Sequence, residues 1–184
     1  MSIRLLIGYI VAFSLSAVSV NAATSELADA AMARNALTVR SLLQKKADVN
    51  APQVDGTTAL HWAVRYDDLD TADLLIRSGA RVSTANREGV TPLQLAAMNG
   101  SASMIDRLLK AGADANAALT PSGDTALMMA ARTGTPEAIT VLLEAGANVN
   151  AKESWGGTTA LMWAASEQHA AAVKLLLDHG ADVN

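Results

Sequence analysis

The sequence of 184 residues has no cysteine, which rules out disulfides, thiolate metal sites, a thiol nucleophile and a lipid-modified leader cysteine. Such a chain can enter an oxidising compartment without mispaired thiols. Aromatic residues make up only 3% of it while 51% is hydrophobic, so a core has to be built from Ala, Leu, Val and Met. Ala, Leu and Met favour helices, whereas a sheet draws on β-branched and aromatic residues. Positive charge is scarce as well: 14 Lys plus Arg against 18 Asp plus Glu leave a net charge of -4. A surface that follows phosphates needs a basic patch to displace counterions, so nucleic acid is not an expected partner.

Frames for known chemistry are missing too. The three histidines, His61, His169 and His179, fall on different elements with no carboxylate at His-Glu-x-x-His spacing, which favours solvated or loop-bonding roles over a metal site. There is no Gly-x-Ser-x-Gly elbow and no Gly-x-x-x-x-Gly-Lys phosphate loop. No enzyme activity, cofactor or metal is expected.

One hydrophobic run stands at the start. "MSIRLLIGYIVAFSLSAVSVNAATSE" opens with a positive end at Arg4, continues uncharged from Leu5 to Val20 and reaches the small-residue pattern Val20-Asn21-Ala22. That plan is a secretory signal peptide over residues 1–22, cleaved after Ala22, with the mature chain periplasmic or secreted. An uncleaved anchor is the other reading, but sixteen residues fall short of the roughly 17–25 that cross a bilayer and the second half is rich in serine. Beyond this leader no membrane contact is expected.

What the rest of the chain has is repetition. Thr58, Thr91, Thr125 and Thr159 open "TALHWAV", "TPLQLAA", "TALMMAA" and "TALMWAA", at spacings of 33, 34 and 34. A closing phrase keeps the same period through Lys46, Gly79, Gly112, Gly146 and Gly180. Gly56, Gly89, Gly123 and Gly157 each stand two residues before the Thr. In the last unit Thr159 is a candidate N-cap for a first helix through Ala165, since its hydroxyl can accept an orphan backbone N–H. A second helix is expected over residues 170–179 on the stripe Val173, Leu176, Leu177, with Gly180 as a left-handed stop. Helices of two to three turns are marginal alone, so the units must stack. Asn99-Gly100-Ser101 matches a glycosylation sequon, but Asn-Gly reads as the tight turn between two such helices.

These phrases and their period resemble ankyrin repeats. The resemblance implies an all-α solenoid of about five stacked helix-turn-helix units joined by hairpin-like loops. The units expected are an N-terminal capping repeat at 25–54, in which Lys46 replaces the Gly, and repeats at 55–86, 87–120, 121–154 and 155–184. Only Pro92 keeps the family's Pro and only His61 its His, with Gln94, Met128 and Met162 elsewhere. Because the family uses that His to tie neighbouring loops, the resemblance leaves those ties open in three units. The short leader and the phrasing are similar to exported bacterial members.

By the same resemblance, a protein partner is contacted on the concave face made by loop tips and first-helix ends. Carried over by position, the tips supply Asp55, Thr57, Arg87, Glu88, Asp124 and Trp155, and the helix ends supply Arg65, Tyr66, Met98, Arg132 and Glu167. Trp155 is the sharpest of these, because a Trp followed by two glycines in a tip has the character of a binding hot spot. Trp62 and Trp163 take the place of Leu95 and Met129 and are expected to pack. The function that follows is a non-catalytic, monomeric protein-interaction module, with an accessory part of a longer protein or enzyme, or a spacer without a partner, as the other readings. Because Leu175 to Leu177 belong to an internal type of repeat with no polar cap after it, at least one further repeat is expected beyond Asn184.

Overall fold

The computed structural model describes residues 25–184; the leader and its cleavage site lie outside them. Ten helices follow one another in five pairs: α1 (Glu26–Met32) and α2 (Ala36–Gln44), α3 (Ala59–Arg65) and α4 (Leu69–Arg77), α5 (Pro92–Met98) and α6 (Ala102–Lys110), α7 (Ala126–Thr133) and α8 (Pro136–Glu144), α9 (Ala160–Ser166) and α10 (Ala170–Asp178). No strand occurs among the described residues. The first helices pack in a row, α1 on α3 on α5 on α7 on α9, and a second row runs α4 on α6 on α8 on α10. This is the stacked helical solenoid that the period implied.

Local chemistry sets where each helix starts and stops. Thr91, Thr125 and Thr159 accept the N–H of Gln94, Met128 and Met162 on their hydroxyls, each at 3.3 Å. Asn35, Asp68 and Ser101 cap second helices in the same way. Pro92 and Pro136 occupy first helical positions, where a missing N–H costs nothing. The turn between the helices of a pair takes the left-handed conformation at Gly100 and Gly134, as the Asn-Gly pattern indicated, and also at Arg34, Asp67 and Gln168. The second helix of the last unit ends at Asp178, one residue short of the expected range, with His179 as its cap.

Helices of seven to nine residues gain their stability from neighbours. Ala96, Ala97, Ala130 and Ala131 are fully buried where first helices approach, and Leu75, Leu108, Leu142 and Leu176 fill the space between the rows with no exposed surface. Truncating one of these leucines to Ala would cost about 2–5 kcal/mol through lost burial and the cavity left behind. In the last unit Ala165 and Leu177 are exposed.

Loop coupling follows the same repeat. His61 is buried; its Nδ1 accepts the Thr58 N–H at 3.2 Å, and its Nε2 lies 3.2 Å from the Val90 carbonyl of the next loop. Gln94 reproduces both bonds: its Oε1 accepts the Thr91 N–H at 2.9 Å and its Nε2 donates to the Asp124 carbonyl at 2.6 Å. The tie left open in that unit is therefore made, because a carboxamide offers the same acceptor and donor as a neutral imidazole. At Met128 only a 3.5 Å contact of Sδ with the Thr125 N–H remains, without a tie to the next loop.

Candidate protein-binding surface

The loops between units are held by their own polar groups. Asp55 accepts from the Thr57 N–H and hydroxyl, both at 2.9 Å, and these bonds, the backbone one foremost, hold its carboxyl below the usual range. Thr57 is consequently buried: it shapes the tip rather than presenting itself to solvent. Asp124 accepts from the Ser122 hydroxyl and its N–H donates to Thr120 Oγ1 at 2.9 Å. In the last loop Glu153 does this work alone. Its carboxylate accepts from the N–H groups of Trp155, Gly156 and Thr158 at 2.6, 2.7 and 2.9 Å and from the Thr158 hydroxyl at 2.9 Å. Those donors, led by Thr158, hold it at about 2. Adjacent tips join directly, the Arg87 N–H to the Asp55 carbonyl at 2.9 Å and the Ser154 N–H to the Ser122 carbonyl at 2.7 Å.

Loop tips and first helices together enclose two grooves. The first, of about 410 Å³, lies between Met32 of α1, Gln53, Val54, Asp55 and Arg87 of the loops, and Trp62 of α3. The second, of about 520 Å³, lies between Asp124, Arg132 and Met129 on one side and Trp155, Glu153 and Trp163 on the other. Trp155 stands at 81% exposure on the rim of the second. Trp62 and Trp163, expected to pack, do lie against the core, yet each also lines a groove and carries a guanidinium. Arg65 sits 5.8 Å from the Trp62 ring, Arg34 5.4 Å from Tyr66, and Arg132 5.4 Å from Trp163. Tyr66 and Trp62 stack at 5.8 Å.

The structure therefore places Asp55 and Arg87 in the first groove, with Arg65 and Tyr66 against the Trp62 that lines it, and Asp124, Arg132 and Trp155 in the second. Met98, 52% exposed at the end of α5, lies between them in the row, and Glu167 caps α9 beside the second. Glu88 is exposed in its tip, with its N–H held by Asn86 Oδ1 at 3.0 Å. Thr57 is the candidate that does not reach the surface. The histidines make loop and helix bonds: His169 Nε2 lies 3.1 Å from the Arg132 carbonyl and His179 Nδ1 2.8 Å from the Leu175 carbonyl.

Sequence reasoning missed a second coupling device. The closing Asn of a unit reaches across to the next: Asn116 donates to the Gly146 carbonyl at 3.0 Å and accepts from the Asn148 N–H at 2.7 Å. Asn50 and Asn150 do the same with Gly79 and Arg81, and with Gly180 and Asp182. Ser83, at the equivalent place, is too short. The recurrence of Asn at the phrase end was the available signal.

Comparison with known proteins agrees with this geometry. The family profile described as ankyrin repeats (3 copies) matches residues 27–118 and 95–184. The chain is 44% identical over 75 residues to the nuclear factor NF-kappa-B p105 subunit of Mus musculus, covering 40% of this chain and 8% of that protein. It is 40% identical over 80 residues to an ankyrin repeat protein of fowlpox virus, covering 42% and 24%, and 33% identical over 75 residues to an ankyrin repeat protein of Rickettsia bellii, covering 41% and 45%. The chain thus matches less than half of the length of each of these relatives. With period, paired helices and profile in agreement over nearly all described residues, the chain belongs to the ankyrin-repeat family.

Proposed function

We propose that this protein is an exported, non-catalytic module that binds a protein partner across the concave face formed by its loop tips and first helices. The observation that carries the reading is the placement of Trp155 and Arg132 in one groove and of Tyr66 and Arg65 against the Trp62 that lines the other. Aromatic and arginine side chains dominate binding energies at protein interfaces, and here they stand on a frame whose loops are already fixed by internal hydrogen bonds. Stacked repeats supply an extended surface of this kind without chemistry of their own. Action outside the cytoplasm is supported by the leader pattern of residues 1–22. The short matched share of the relatives supports a second reading, in which the repeats are the accessory or regulatory part of a longer protein.

The test is capture of partners from an extract of the host by the chain lacking residues 1–22. The Trp155→Ala/Tyr66→Ala variant should lose at least tenfold in capture while its circular dichroism is unchanged. Unchanged capture would show that this face is not the binding surface.

A further inference from the structure

Arginines on the two helix rows are used differently. On the second row Arg107 of α6 is paired with Asp73 of α4 at 2.9 Å, and Arg77 of α4, like Arg40 of α2, has neither an ion pair nor an aromatic ring among the described residues. At the ends of the first helices, Arg34, Arg65 and Arg132 have no carboxylate partner among the described residues and lie instead on aromatic rings. A guanidinium stacked by its face keeps its edge N–H groups for a carboxylate in the fork geometry that Arg suits.

The acidic groups on the loop side of the same grooves are held in place, still charged, by their own loops. Asp55, Asp124 and Glu153 each accept hydrogen bonds from their own loops. Carboxylates bound within their own loops, and Asp29 of α1 bound by Gln53, therefore line the grooves, while the guanidinium groups at the first-helix ends have no carboxylate partner among the described residues. The register of the latter is regular. Arg65, Met98 and Arg132 occupy the same place in α3, α5 and α7, the last turn or its end, so an exposed apolar side chain stands between two cations.

We propose that the occupant of this face is an extended acidic segment of a partner protein, carrying two carboxylates with an apolar side chain between them. The proposal rests on the reading of this face as a protein-binding surface and adds the chemistry of what it binds. Packed helices lie about 8–10 Å apart, so two steps from α3 to α7 separate Arg65 and Arg132 by roughly 16–20 Å. An extended chain advances about 3.3 Å per residue, which places the two acidic residues about five to six positions apart with the apolar one near the middle, over Met98. A polyanion such as nucleic acid would run past these two cations onto a chain whose overall charge is -4, whereas a short segment with two carboxylates need not.

The experiment is selection of a random dodecapeptide display library on the immobilised chain lacking residues 1–22, followed by affinity measurement of an enriched peptide. Enriched peptides should carry two Asp or Glu residues about five to six positions apart around an apolar residue. Arg65→Gln and Arg132→Gln should each weaken binding at least fivefold, with the loss shrinking in high salt, while Arg107→Gln leaves it unchanged. Acid-free or basic enriched peptides, equal effects of Arg107→Gln, or no enrichment would overturn the proposal. If acid-free peptides bind and lose affinity in Trp155→Ala/Tyr66→Ala, the face reading survives and only the acidic chemistry fails. Insensitivity to both sets of variants removes both.

Discussion

His61 is the most informative single position, because the next repeat contains its natural control. Gln94 makes the same pair of bonds at the corresponding place, so His61→Gln should keep the Thr58 and Val90 ties, whereas His61→Ala leaves the Thr58 N–H without a partner inside the protein and the Val90 carbonyl with only the Asn86 N–H at 3.0 Å. The orphaned Thr58 N–H costs about 1–3 kcal/mol and the lost bond to Val90 about 0.5–1.5 kcal/mol, so a total near 3 kcal/mol is expected for the alanine variant. For a chain of this size that is a fall in Tm of roughly 6–12 °C. The glutamine variant should stay within about 1 kcal/mol of wild type.

The pH dependence separates the two further. Burial pushes the His61 ring below its ordinary value, against the opposing pull of the Val90 carbonyl and Asp55. A proton on Nδ1 would also face the Thr58 N–H. The folded chain therefore holds His61 neutral where the unfolded chain takes up a proton, so its contribution is complete above about pH 6.5 and is lost as pH falls from there toward the lowered folded value. Urea unfolding followed by circular dichroism from pH 5 to 8 should show wild type losing stability below about pH 6.5 and His61→Gln showing a flatter profile. Glutamine as damaging as alanine at pH 8, or a wild-type slope retained in His61→Gln, would refute the reasoning.

Other predictions follow from the same repeat logic. Lys46 holds φ +60, where the corresponding positions carry glycine; Lys46→Gly should stabilise by about 1 kcal/mol in thermal unfolding, the relief of the left-handed strain exceeding the added chain entropy. Ser83→Asn should supply the missing bonds to the Gly112 carbonyl and Asp114 N–H, raising the urea midpoint by the equivalent of about 0.5–1.5 kcal/mol. Glu153, held at about 2, stabilises its loop above its ordinary value and loses that contribution as pH falls through about 2. Glu153→Gln should therefore speed amide hydrogen exchange at Trp155, Gly156 and Thr158 at neutral pH and remove the acid dependence of that loop.

The frame was legible because a few residues do one job in every unit. Thr caps at Thr91, Thr125 and Thr159, buried Ala pairs and the left-handed stop at Gly180 all follow from backbone requirements that repeat with the period. The site was legible only in part. That Gln94 substitutes for histidine depends on a donor and acceptor meeting a neighbouring loop, which a motif comparison by residue type cannot see. The Asn50, Asn116 and Asn150 ties needed the next unit's geometry. Thr57 follows the tip in the repeat pattern but turns inward because Asp55 binds it. Alignment with Leu95 and Met129 predicts packing for Trp62 and Trp163; an indole is wide enough to pack on the core and still hold an arginine over the groove. In the last loop, one residue longer, Glu153 spends its carboxylate on the tip, whereas Gln53 accepts the Trp62 N–H at 2.7 Å; the Trp163 Nε1 is buried without a partner among the described residues.

The central claim is that partners are bound by the first-helix and loop-tip face. Photo-crosslinking tests it most directly, with a benzophenone side chain placed at Met98, between the two grooves, or at Lys110, exposed at the end of α6 on the second row. The account predicts a partner crosslinked from position 98 and none from position 110. A partner crosslinked from position 110 and not from position 98 would contradict it.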